Sequence, residues 1–518
     1  VTPLPLVPLP ASVALHAAAA PFRLVAGEPV AGEADAAATW TRIVAEVTGS
    51  SAPEPASAGH PAPRIAFRLA HGGPPESSRI VVDAASVDVS APDAAGLFYA
   101  AHTLGQLLRP DTDEDPERGA GTGTDTERDA GGLTLPPGVI EDAPRFGYRG
   151  VMLDVARHFA PVETVRAYID RAAALKFNAL HLHLTDDQGW RLQLRSRPLL
   201  TERASGTAVG GDAGGFYSTA DFRDIVAYAA SRHMTVVPEI DVPGHTHAVG
   251  LAYPELVEAP VLTDEIRAQG GVMPESGVPY EGIGVGFSSL RIGDEAVYDF
   301  LADVFGEIAG LTPGPYLHVG GDECHGTDPE DFAVFMARAT RIVADLGRTP
   351  IAWHEAGSAT IDDSTVGQYW GFTEPIDGAD AAARAFVANG AQVILSPADA
   401  AYLDMKYDEG TALGLTWADG PTSVERAYSW EPVDVVDGIG EADILGVEAP
   451  LWTETVRSLD DIDTLAFPRI AAIAEIAWSP AAGRDWDSFR ARVAGLGPLW
   501  DARGIAFFRS PEIAWASR

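Results

Sequence analysis

The chain has 518 residues, 46% of them hydrophobic, and a formal charge of -38. That length exceeds one ordinary domain, the composition is that of a folded chain, and the charge argues against nucleic-acid binding, which needs a basic footprint. No apolar run approaches the roughly 20 residues that span a bilayer, and Cys324, the sole cysteine, allows neither an internal disulfide nor a thiolate zinc cluster.

Residues 1–145 read as a small α+β domain. Ile65, Phe67 and Leu69 alternate with Arg64, Ala66 and Arg68, the period of a strand, and 80–82 and 87–89 are further short strands. Asp93 then opens a helix whose apolar residues Leu97, Ala101, Leu104 and Leu108 recur at helical spacing. Strands with one packed helix make a two-layer unit, and it carries no chemical motif. Residues 111–132 are acidic, rich in Gly and Thr and nearly free of large apolar groups, so a flexible acidic loop is expected there.

From residue 148 the pattern changes to repeated strand–helix units. Apolar runs at 150–155, 179–185, 235–240, 316–320, 350–354, 365–370, 392–396 and 444–451 alternate with helical stretches. One such stretch, 162–176, places Val165, Ile169 and Ala172 on one face. The chain is therefore expected to be α/β: a (β/α)8 TIM barrel with the smaller N-terminal domain before it, the barrel and C-terminal helices occupying 146–518.

In such barrels reactive residues stand at the C-terminal strand ends. The polar and aromatic residues of this chain gather there. They are Asp154 and Arg157, Asp186 with Asp187 and Trp190, then Glu239, Asp241 and His245. Asp322 and Glu323 follow the fourth strand, and Trp353, His354 and Glu355 the fifth. Tyr369 and Trp370, Tyr402 and Asp404, and Trp452 and Glu454 complete the set. A rim of carboxylates and tryptophans suits carbohydrate, whose apolar C–H faces lie against indoles while its hydroxyls bond to Arg and carboxylates. No Gly-rich phosphate cradle stands at a strand–helix junction. The densest motif is His318-Val319-Gly320-Gly321-Asp322-Glu323. Its adjacent acids cannot bracket a sugar from opposite faces. If glycosides are cleaved, one of them donates the proton and the nucleophile comes from elsewhere, the substrate included.

The stretches GVMLDVARHF, HLHLTDDQGWR, PEIDVPGH, HVGGDE, QYW, YLDMKYD and EAPLWTE lie in order across 140–480. In these the chain resembles glycoside hydrolase family 20, the β-N-acetylhexosaminidases of bacterial type. The resemblance implies an exo-acting enzyme that removes terminal N-acetylglucosamine or N-acetylgalactosamine from oligosaccharides or glycoconjugates, without a cofactor. The substrate's own acetamido group would serve as nucleophile through an oxazolinium intermediate. It implies Glu323 as general acid and then base, with a carboxyl pKa raised by burial beside Asp322. Asp322 would hold the acetamido N–H, and Tyr402 would donate to the acetamido oxygen. Trp353, Trp370 and Trp452 would wall the sugar, Arg157, Asp404 and Glu454 would bind outer hydroxyls, and Asp186 and His245 would orient the carboxylates.

Plainer roles stand beside these. Arg157 forms a structural ion pair with Asp154 or Glu454, Asp186 caps a helix, and His245 is a satisfied loop histidine. Trp417 and Trp430 either line an outer subsite or pack a loop, and Cys324 is a packing substitute. The rival functions are a metal-dependent hydrolase built on His181, His183 and Asp186, a sugar-binding barrel without turnover, and a retaining glycosidase with Asp404 or Glu454 as nucleophile. Neither a membrane nor a nucleic acid is an expected partner. Residues 1–20 lack a basic start and an unbroken apolar segment, so no intact signal peptide is expected there. Secretion with a removed leader is the expected location, and the cytoplasm is the alternative.

Overall fold

The computed structural model describes residues 3–25, 27–48, 63–110, 132–269 and 271–515. The acidic stretch at 111–132, read above as a loop, lies outside them apart from its last residue. The chain divides into two compact units: Val1–Arg145 with Ala174–Lys176 and Trp478–Arg518, and Phe146–Ala173 with Phe177–Ala477.

The first unit holds a six-stranded sheet in the spatial order Ser12–Leu15, Gly138–Asp142, Ser78–Val82, Val87–Ala91, Ile65–Leu69 and Val30–Gly32. Two helices, Ala34–Thr48 and Ala94–Leu107, pack against it around Trp40, Ile43, Phe67, Leu97 and Leu104. Asp93 caps the second, its carboxylate accepting the Gly96 N–H at 2.8 Å, as its sequence position suggests. The C-terminal stretch departs from expectation: Trp478–Arg518 belongs to this unit and not to the barrel. Long-range polar contacts hold it. The Trp478 indole donates to Asp142 at 2.8 Å, and the Arg492 guanidinium donates to the Leu6 carbonyl at 2.6 Å.

The second unit is a closed parallel barrel of eight strands. These are β1 (Tyr148–Asp154), β2 (Ala179–His183), β3 (Thr235–Glu239) and β4 (Tyr316–His318), then β5 (Thr349–Trp353), β6 (Val366–Tyr369), β7 (Val393–Leu395) and β8 (Ile444–Leu451). They form because each is a short apolar run buried on both faces, as a helix-wrapped parallel sheet requires. Helices α1 (Val162–Ala174), α2 (Thr219–Ala230), α3 (Glu295–Ala309) and α4 (Pro329–Asp345) precede β2 to β5. β5 breaks the alternation, being followed only by a 3-10 turn, His354–Ser358. The register aligns Asp154 with His183, His183 with Glu239, and Glu239 with His318. Polar residues from four neighbouring strands thus share one level just below the rim. No helix among the described residues is long and apolar enough to cross a membrane.

Candidate active site

The two adjacent acids sit on a turn that only this local sequence allows. After β4 the backbone enters the left-handed region at Gly320, with φ 68°. A Cβ there would lie 1.7 Å from Asp241 Oδ1, so any side chain would displace Asp241. Asp241 instead uses Oδ1 to accept the Gly321 N–H at 3.1 Å and holds the turn. Glu323 itself takes φ 49°, a strained value for a residue with a side chain. The turn delivers Asp322 and Glu323 to a cavity of about 510 Å³.

Arg157, Trp370, Tyr402, Trp452 and Glu454 line the same cavity. The other site residues named from sequence stand behind that wall. Trp353 is fully buried, its indole donating to Glu239 at 2.9 Å and its ring 6.2 Å from that of Trp452. Asp404 is 2% exposed, and neither of its carboxylate oxygens makes a hydrogen bond among the described residues. Glu454 Oε2 is likewise without a partner. Burial raises both carboxyls above the ordinary range, Glu454 adding to the rise at Asp404 and Arg157 opposing it at Glu454.

A chain of charge runs from Arg157 to Glu323. The Arg157 guanidinium reaches Asp186 at 2.8 Å and lies over the Trp452 ring at 4.7 Å. Asp154 is the weaker partner, at 3.6 Å, so the expected local pairing is secondary. Asp186 also meets His183 at 2.8 Å and accepts from His245 Nδ1 at 3.2 Å. It sits in a two-residue strand, Thr185–Asp186, and caps no helix, which removes its plainer role. The other nitrogen of His245 lies 3.5 Å from Glu323 Oε2 and 3.8 Å from Asp322 Oδ2. Burial opposes a charge on His245, but Asp186, Asp241 and Asp322 override it and raise the imidazole well above its ordinary pKa. Burial also opposes the Asp186 charge, and Arg157 and His245 override it to hold that carboxylate well below the usual range. Glu323 goes the other way. Burial pushes it up to about 7, Asp322 adding to the rise and His245 opposing it. The Tyr402 phenol is raised by burial and then by Asp322 and Asp404.

Below the rim lies a second polar layer. Glu239 meets His183 at 2.5 Å, His181 at 3.0 Å and His318 at 3.0 Å. Glu448 meets His181 at 2.9 Å and accepts from Tyr148 at 2.5 Å and from Gln368 at 2.6 Å. Both nitrogens of His181 and of His183 are therefore occupied. Burial opposes their charge, but the flanking carboxylates push both up to about 10. Carboxylates hold both nitrogens of each ring and leave neither free for an ion, which counts against the metal-dependent rival.

The structure decides residues that the sequence left open and adds Ile283, Gly284 and Val285, which nothing in the sequence marked. Trp417, 48% exposed, lines the cavity together with Ile283, Gly284 and Val285 from the long segment between β3 and α3. Trp430 is buried instead, its indole bonded to the Ala427 carbonyl. Glu355 accepts the Trp370 indole N–H through both oxygens, at 3.0 and 3.1 Å, and is pushed up to about 8 by burial and by Asp322. Cys324 donates to the Asp322 carbonyl at 3.2 Å, and burial raises its thiol well above the ordinary range, so it is no ready nucleophile.

The chain matches the model of the glycosyl hydrolase family 20 catalytic domain over residues 146–481 and that of the family's domain 2 over 4–143. It is 42% identical over 440 residues to a β-N-acetylhexosaminidase of Cellulomonas fimi, covering 85% of this chain and 82% of that one. A β-hexosaminidase of Porphyromonas gingivalis is 32% identical over 453 residues, covering 82% of this chain and 53% of its own length. Among solved structures, a family 20 β-N-acetylglucosaminidase is 59% identical over all of both chains, with a TM-score of 0.89. The Streptomyces plicatus N-acetyl-β-hexosaminidase in complex with Thio-NAglucal is 42% identical with a TM-score of 0.87, covering 99% of this chain and 98% of that one. Two matched domains in sequence order, and relatives alike over most of the chain, place it by descent as well as by fold: it belongs to glycosyl hydrolase family 20.

Proposed function

We propose that the protein is an exo-acting β-N-acetylhexosaminidase that hydrolyses terminal N-acetylhexosamine residues with retention, using the substrate's acetamido oxygen as nucleophile. The observation that carries this reading is the pairing of two neighbouring acids with opposed tasks on one turn. Glu323, with its pKa near 7, is protonated at the start of the reaction and donates to the glycosidic oxygen. The positive His245 at 3.5 Å then stabilises the carboxylate it leaves behind. Asp322, beside it in the chain, accepts the acetamido N–H and steadies the positive charge of the oxazolinium.

Tyr402 donates its O–H to the acetamido oxygen and turns that oxygen towards C1, making the attack intramolecular. Trp370 and Trp452 enclose the acetamido methyl and the ring, backed by Trp353. Asp404 and Glu454 carry buried oxygens without protein partners, and sugar hydroxyls donating to them would satisfy both. Arg157 adds a charged donor. A cavity of about 510 Å³ suits one terminal sugar. In the second half-reaction Glu323 takes a proton from water, which opens the oxazolinium at C1.

An aryl N-acetylglucosaminide and the matching aryl glucoside test the mechanism directly. The acetamido substrate should turn over and the glucoside should not. A thiazoline analogue of the cyclised sugar should inhibit far more strongly than free N-acetylglucosamine. Equal rates on the two glycosides, or a glycosyl ester trapped on Asp404 or Glu454, would restore the protein-nucleophile alternative.

A further inference from the structure

His245 differs from the two histidines below it. The nitrogens of His181 and His183 are all taken, whereas His245 Nε2 has no hydrogen-bond partner among the described residues. It is buried, 3% exposed at residue level, and three carboxylate oxygens surround it: Glu323 Oε2 at 3.5 Å, Asp322 Oδ2 at 3.8 Å and Asp241 Oδ2 at 4.0 Å. Asp241 is 1% exposed, and its Oδ2 is also without a partner, because only Oδ1 holds the Gly321 turn. The offered atoms of Asp241, His245 and Asp322 all lie within 4.8 Å of one another.

From this geometry we infer that Asp241, His245 and Asp322 form an inhibitory site for zinc or a like divalent cation that prefers mixed nitrogen and oxygen ligands, with Glu323 beside it. Tetrahedral zinc with bonds of about 2.0–2.1 Å keeps its ligand atoms about 3.3 Å apart. The Asp322 and Asp241 oxygens, at 3.8 and 4.0 Å, stand within about 1 Å of that spacing from Nε2. The ion enters from the cavity, which Asp322 and Glu323 line. It takes the place of the Nε2 proton and of the proton that burial favours on Asp241, both of which leave to solvent, and the two carboxylates then balance its charge. One imidazole and two carboxylates suit zinc better than magnesium, which keeps an octahedral shell of oxygens. The chain's charge of -38 raises the local concentration of any such cation. A bound ion occupies the acetamido acceptor Asp322 and replaces the imidazole proton that faces Glu323, so it disables both acids together. The blockade rests on the proposed hydrolysis, but the binding does not.

Equilibrium dialysis of the full chain against zinc chloride, after chelator treatment, reads the binding without reference to activity. One ion per chain is expected on wild type. Asp241→Asn keeps an oxygen for the Gly321 N–H but replaces the free ligand atom by an amide nitrogen, so zinc binding should weaken at least about tenfold. His245→Gln should do the same, and circular dichroism establishes that each variant is folded. Cys324→Ala should bind zinc as wild type does. Absence of bound zinc on wild type, binding that survives both Asp241→Asn and His245→Gln, or binding lost with the thiol would overturn the site. Should zinc bind as described while no hexosaminide is cleaved, the functional proposal would fail and the site would stand.

Discussion

The barrel carries two polar layers a few ångströms apart, and they obey opposite rules. In the lower one, Glu239 and Glu448 each meet several donors, and His181 and His183 are bonded at both nitrogens. Among the described residues, only His318 Nε2 and Gln368 Oε1 are left over in that layer. In the upper one, oxygens of Asp241, Asp322, Asp404 and Glu454 are buried without partners among the described residues. A buried polar group without a partner costs about 1–3 kcal/mol, so a folded chain keeps such groups where they serve something else. The lower layer sets the position of Trp353 through Glu239, and Asp322 and Glu454 of the upper one line the cavity. Satisfied charge marks the scaffold here, and unsatisfied charge marks the place for a substrate.

Substitutions should separate the layers. The largest effect is expected at the rim: Glu323→Gln should lower kcat by about 10²–10⁴-fold on a substrate with a poor leaving group, with KM little changed. Near-normal turnover of that substrate by the variant would remove Glu323 from the acid role. Tyr402→Phe should lower kcat on acetamido substrates by roughly 10²-fold, the scale of one lost donor to a developing charge. An effect confined to KM would contradict its part in the attack. In the lower layer, Glu239→Gln should act on stability, since removing one partner of a buried charged network costs about 3–5 kcal/mol. Asp404→Asn should leave stability unchanged or raise it, because it removes an unpartnered buried carboxylate, while raising KM for the sugar. Chemical denaturation of both variants checks the contrast, and a larger stability loss at Asp404 than at Glu239 would erase it.

Much of the rim was legible from residue order. Parallel strands buried on both faces are short apolar runs, and the rule that reactive residues follow them brought out Asp322, Glu323 and Tyr402 without any coordinates. What was hidden depends on chain that comes back from far away. Ile283 to Val285 reach the cavity from a long segment without periodicity, and nothing local marks them. Trp417 and Trp430 could not be told apart, because exposure depends on what packs over each. The tail from Trp478 was assigned to the barrel, since its bonds to Leu6 and Asp142 span hundreds of residues. The helix Ala34–Thr48 was the avoidable omission. Its buried Ala36, Trp40 and Ile43 fall at i, i+4 and i+7, a helical pattern visible in the sequence.

The smallest expected effect is one of pH, and it puts the upper layer's cost of function on a scale. Glu323 is pushed up to about 7 in the folded chain, against an ordinary value of 4.5. Between those values the folded chain holds a proton that the unfolded chain has lost, so the contribution of Glu323 to stability falls as pH rises and levels off above 7. The full shift corresponds to at most about 3 kcal/mol, and the side chain is 27% exposed, so screening reduces it. Glu323→Gln removes this slope. The variant should therefore gain stability over wild type as pH goes from 5 to 8, by about 1 kcal/mol on this reasoning. The kcat/KM of wild type should fall over the same window, with an alkaline limb near 7, because both follow one proton. A stability difference between wild type and variant that is flat across the window, alongside an alkaline limb near 7, would mean that another group carries the limb.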